Sequence, residues 1–151
     1  MEHEKYLSQA IELAQNNVKN GGRPFGAVLV KDGEVISTGV NETNETCDIT
    51  AHAELLVIRR ANEKLKSPFL EGTVMYASGQ PCPMCMAAMH SAKIDKIYFA
   101  YSYEQGQPYG LSSTDILEEL KKPIEDQSIE IKHITPDGID QHPYEMWSNQ
   151  N

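Results

Sequence analysis

The sequence predicts an α/β fold in three layers, with helices on both faces of a mixed sheet. Short β-branched runs alternate with helix-period segments after an initial hairpin, and the chain of 151 residues is one domain's length. The hairpin signal is Asp32-Gly33, a dipeptide suited to the positive φ angles of a tight turn. We therefore read residues 1–151 as a single domain.

The elements follow in order. Residues 4–20 carry Leu7, Ile11, Ala14 and Val18 at helical spacing, and Gly21-Gly22 ends that helix. Residues 25–31 and 34–39 are apolar strands paired through the Asp32-Gly33 turn, so they should run antiparallel. Residues 41–50 are polar without period and read as a loop; Asp48 or Thr50 caps a helix over 51–66. A strand is expected over 72–78, and after Gly79-Gln80-Pro81 a Met- and Ala-rich helix over 83–92 with Pro83 in its first turn. Residues 96–101 form the next strand, 101–113 an irregular loop, and 114–121 a helix stopped by Pro123. Residues 128–134 alternate like a half-buried strand, and the tail from about 137 holds one short helix near 144–147.

Composition excludes several classes of function. Thirteen basic against 22 acidic residues give a net charge of −9, which disfavours a surface that clamps nucleic acid. The polar start and the lack of a long apolar run predict neither a secretory signal nor a membrane span, hence a cytoplasmic protein. Three cysteines, Cys47, Cys82 and Cys85, give no disulfide framework. Cys47 reads as a free thiol.

Two clusters carry the chemistry: His52-Ala53-Glu54 and Pro81-Cys82-Pro83-Met84-Cys85, each at a predicted helix start. Cysteines three apart on a helix share a face and can reach one ion, and a histidine makes three ligands. Three protein ligands leave the fourth tetrahedral position of a zinc ion to a catalytic water. Both clusters lie where the helix dipole favours thiolate and hydroxide. Glu54 at the helix tip can take a proton from that water and return it to a leaving nitrogen, which is hydrolytic deamination. Two blander readings stand beside this one. The Cys pair could be a redox dithiol, although an upstream His-x-Glu is foreign to that case. A closed structural zinc would need His90, His133 or Cys47 as a fourth ligand. Met75, Met84, Met86 and Met89 read as core filler.

With these motifs the chain resembles the cytidine-deaminase-like superfamily of zinc deaminases, through His-x-Glu and Pro-Cys-x-x-Cys. Residues 22–28, the Asp32-Gly33 hairpin, Gly39-Val40-Asn41 and Thr50 to Glu54 are similar to bacterial guanine deaminases, and the likeness spans nearly the whole chain. The resemblance implies a mixed five-stranded sheet between helices and a homodimer whose C-terminal segments are exchanged. It assigns His52, Cys82 and Cys85 to one Zn2+, Glu54 to proton transfer, Asn41 and the Ala53 backbone N–H to holding the base, and Phe25 to packing on the ring. The partner it implies is a small nucleobase, with guanine converted to xanthine and ammonia. Deaminases of another heterocycle (cytosine, creatinine or pterin), a tRNA adenosine deaminase and a silent zinc module stay open as alternatives. The chain departs from the guanine deaminase pattern at Ser91 (usually aromatic), at Ser113 (usually acidic), at Gln80 (usually Glu) and in the tail, which ends Trp147-Ser148-Asn149-Gln150-Asn151. Asp115 is not assigned the missing acid's place, because neighbouring residues at a helix start point in different directions.

Overall fold

Why the chain folds in layers is clearest on its central strand. In the computed structural model, which describes residues 2–151, strand β1 (Gly26–Lys31) pairs antiparallel with β2 (Glu34–Val40) on one side and with β3 (Thr73–Gly79) on the other. Strand β4 (Lys96–Tyr101) pairs parallel with β3, giving a mixed sheet in the order β2-β1-β3-β4. Alternate β1 side chains serve two cores. Ala27 and Leu29 join Val57, Ala61, Leu70, Met75, Cys85 and Met89 beneath helices α3 (Ala53–Leu65) and α4 (Pro83–Ser91). Val28 and Val30 join Tyr6, Ala10 and Tyr76 beneath helix α1 (Glu2–Lys19). The predicted layers are therefore present. The hairpin forms as expected, with Asp32 at φ 51° and Gly33 at φ 75°.

Helix α1 meets the sheet along a stripe that shares Ala14 with the expected one but is centred on Tyr6, Ala10, Ala14 and Asn17; Leu7 and Ile11 are half-buried beside it and Val18 is 51% exposed. A Cβ on Gly26 would lie 2.5 Å from the Ala10 carbonyl oxygen, so the helix backbone rests directly on β1 at this point and the contact residues there, Ala10 and Ala14, are small.

Two predicted loops contain short helices, α2 (Thr43–Thr46) within 41–50 and α5 (Tyr103–Gly106) within 101–113, followed by a 3-10 turn at Gln107–Tyr109. Ser102 and Gln105 close a capping box at α5, a signal that the Gly- and Pro-rich composition around it masked. Helix α6 (Thr114–Lys121) has its predicted bounds, and the tail helix α7 runs Pro143–Gln150.

The expected fifth strand is corrected: among the described residues the sheet has four strands, and 128–134 forms no strand. Alternation identifies a two-faced extended segment, but a strand also needs a partner edge. The chain divides into two compact units, Met1–Glu118 and Glu119–Asn151. In the second, Ile129, Ile131, Ile134, Tyr144 and Trp147 are exposed.

Because β1 is antiparallel to both neighbours, its first residues lie beside the last residues of β2 and β3. Phe25, Asn41 and Gln80 are thus gathered at one end of the sheet, outside the carboxyl ends of β2, β3 and β4.

Candidate metal and substrate site

His52 and Cys82 occupy the same local position on two helices. Each is the N-cap residue, in extended conformation, of α3 and α4 respectively. The loop before His52 is stiffened by Asp48, whose Oδ1 accepts from the Thr50 backbone N–H at 2.9 Å and its hydroxyl at 2.7 Å. Those bonds hold the half-buried Asp48 carboxyl below its ordinary pKa. Pro83 takes the first turn of α4, where a backbone N–H would have no helical partner. Cys85 is one turn on and fully buried.

The three side chains converge. His52 Nδ1 is 3.5 Å from each sulfur, and the sulfurs are 3.6 Å apart. Zinc–sulfur bonds of about 2.3 Å and a zinc–nitrogen bond of about 2.0 Å in a tetrahedron require edges of about 3.5–3.8 Å. The triangle therefore matches one face of a zinc site, and the soft sulfur and imidazole donors suit that ion. Neither His90 nor Cys47 belongs to the cluster among the described residues, so neither closes it as a fourth ligand.

Electrostatics bind the group together. Hydrogen bonding with Cys85 holds the Cys82 thiol down to about 4, with help from His52. The same sulfur contact, with burial, pushes Cys85 up, while the contact with Cys82 raises His52. Glu54, at the second position of α3, is only 5% exposed. Burial pushes its carboxyl above the usual range, opposed by Cys85 and His52 beside it.

A cavity of about 220 Å³ opens beside this cluster, walled by His52, Glu54, Cys82, Asn41, Phe25 and Ser113, with Arg23, Gln80, Leu111 and Ile116 completing it. Phe25 lies against Gly79, where an added Cβ would come 3.2 Å from the ring. Asn41 is buried and held through its backbone: its N–H donates to the Phe25 carbonyl at 3.1 Å, and its carbonyl accepts from Asn17 Nδ2 at 2.9 Å. The Asn17 amide also donates to the Arg23 carbonyl at 2.8 Å, so one buried amide on α1 ties both wall segments together. Asn17 escaped the sequence reading. Its signal was a polar residue on the buried stripe of α1, visible only once that stripe is known.

Ala53 is fully buried at the first position of α3, and its side chain is not part of the wall. Ser91 does not line the cavity either: it is exposed at the far end of α4, whose nine residues put it about 12 Å along the axis from the site. Ser113 does line it.

Residues 1–101 match the family model described as the cytidine and deoxycytidylate deaminase zinc-binding region. The chain belongs to this family. The deaminase is 36% identical over 152 residues to a guanine deaminase of Bacillus subtilis, covering 99% of this chain and 96% of that one. The X-ray structure of the Bacillus subtilis enzyme superposes with a TM-score of 0.91, covering 99% of this chain and 95% of that one. A tRNA-specific adenosine deaminase of Aquifex aeolicus is 39% identical over 100 residues, 66% of each chain. The deaminase is thus a zinc-dependent hydrolytic enzyme, as the sequence reading expected, and the redox and silent-module readings are set aside. Among the described residues no helix is long and apolar enough to cross a membrane.

Proposed function

We propose that the deaminase hydrolyses free guanine to xanthine and ammonia. The reading is carried by the cavity itself: His52 and Cys82 of the metal triad, Glu54, Asn41 and Phe25 meet in a space of about 220 Å³, the scale of a single base. Likeness to the Bacillus subtilis guanine deaminase along 99% of the chain supports guanine over a tRNA substrate, as does the net charge of −9.

His52 Nδ1, Cys82 Sγ and Cys85 Sγ would hold the ion. Bound zinc supplies Lewis-acid activation of water near neutral pH. Glu54 accepts a proton at its carboxylate and delivers it to the amine that leaves, and burial, by raising its pKa, makes the carboxylate a stronger base for the first transfer. Asn41 orients the base through its carboxamide, the Ala53 N–H donates to it, and Phe25 covers the ring and excludes water. Ammonia release by zinc-loaded protein, assayed over guanine, cytosine, adenine, creatinine, a pterin and a tRNA anticodon stem, tests the reading. Guanine should stand alone; release from another ring with none from guanine would overturn it.

The whole chain acts as one deaminase domain in the cytoplasm, in a homodimer whose tails are exchanged. The apolar residues exposed in Glu119–Asn151 support this, as does an apolar hollow of about 280 Å³ lined by Ile11, Val18, Phe25, Tyr101, Tyr109 and Leu111 that could seat the partner's tail.

A further inference from the structure

Both carboxamides in the cavity wall have their oxygens already engaged. Asn41 Oδ1 accepts from the Thr43 backbone N–H at 3.1 Å and from the Thr43 hydroxyl at 2.9 Å, which occupies both of its lone pairs. Gln80 Oε1 accepts from the Tyr103 backbone N–H at 2.9 Å. A backbone N–H can be met only by an acceptor, so neither amide can be flipped. Asn41 therefore keeps only its NH2 group, whereas Gln80 keeps its NH2 group and one lone pair of its oxygen. No hydrogen bond engages Asn41 Nδ2 among the described residues, yet no buried side-chain nitrogen or oxygen there lacks a partner. Since Asn41 is only 3% exposed and lines this cavity, its Nδ2 is open to the cavity. Arg23 adds a guanidinium with no hydrogen bond or ion pair among the described residues. The Ser112 hydroxyl is bound to Thr114 Oγ1 at 2.6 Å, and Phe25, Leu111 and Ile116 are apolar. Ser113 can donate or accept and sets no polarity. Glu54, the one carboxylate in the wall, is committed to proton transfer.

We propose that the substrate-reading wall of this cavity, made of Asn41, Gln80 and Arg23, presents an excess of hydrogen-bond donors, so the enzyme favours rings carrying an oxo group over rings carrying an amino group at the same place. A ring with a second amino group in place of the oxo group brings donor against donor and is rejected. The inference rests on the base-binding reading above, and adds to it the identity of two specificity-determining residues, Gln80 and Arg23. Glutamate at position 80 would keep the Tyr103 contact but present a second oxygen in place of the NH2 group.

Calorimetric binding of two rings without the reacting amine position, hypoxanthine and adenine, to zinc-loaded protein tests the polarity independently of turnover. Wild type should bind hypoxanthine at least about tenfold more tightly. Gln80→Glu should shrink that ratio, and Arg23→Ala should weaken hypoxanthine while leaving adenine unchanged, with unaltered Tm showing that both variants fold. Equal binding of the two rings, a preference for adenine, binding of neither, or a ratio unmoved in both variants would overturn the inference. Failure to release ammonia from guanine would instead overturn the proposed reaction, whatever the binding ratio.

Discussion

The proposed role of Glu54 and the metal-binding arrangement of His52, Cys82 and Cys85 answer to different measurements because each concerns a different event. Glu54→Gln keeps the shape of the buried side chain and loses the proton acceptor. Its zinc content should stay at one per chain while kcat falls by about 10²–10⁴; near-normal turnover would remove Glu54 from proton transfer. Cys85→Ala removes one corner of a triangle whose edges are 3.5–3.6 Å and should lose the metal, as measured by atomic absorption after dialysis. His52, Glu54, Cys82 and Cys85 were legible in the sequence because their spacing is local and their chemistry specific. Asn17 reaches the site through tertiary contacts that no local pattern announced, and Arg23 and Gln80, though they lie in segments the sequence reading quoted, were given no part in the site until the fold placed them in its wall.

Among the elements, α1 matters to the site through how closely it rests on the sheet. Gly26→Val would drive a side chain into the Ala10 carbonyl and the Ala14 amide, where no flexible group can yield. It should lower stability by about 1–3 kcal/mol, read from chemical denaturation. Asn17→Leu is a sharper probe: it leaves the helix but removes the donor to Arg23 and Asn41, so kcat/KM should fall with zinc content unchanged. The expected stripe on α1 met the observed one at Ala14 and missed Ala10 because apolarity alone was the guide, whereas the tight approach at Gly26 selects small residues at Ala10 and Ala14. The expected strand at 128–134 failed on a different account: alternation is a property of a segment, and pairing is a property of two.

For the whole molecule, the open question of assembly can be read directly. With the tail exchanged, light scattering should give twice the chain mass of 16.9 kDa, and a chain ending at Glu118 should run as a monomer with reduced Tm. A monomeric full-length protein would refute the exchange. Stripping zinc with a chelator should lower Tm and abolish turnover, both restored by adding zinc back, because an ion that binds the folded triad and not the unfolded chain stabilises by mass action.

By itself the sequence determined the layered α/β class, the hairpin at Asp32-Gly33 and the two metal-binding motifs, since each of these rests on residues near one another in the chain. Tertiary structure decided the rest. It joined helix starts that are 30 residues apart in the His52–Cys82 pair, turned the amides of Asn41 and Gln80 by giving their oxygens to Thr43 and Tyr103, and left 128–134 without a partner strand. Each depends on which distant groups come within a few ångströms, and a one-dimensional pattern does not carry that information.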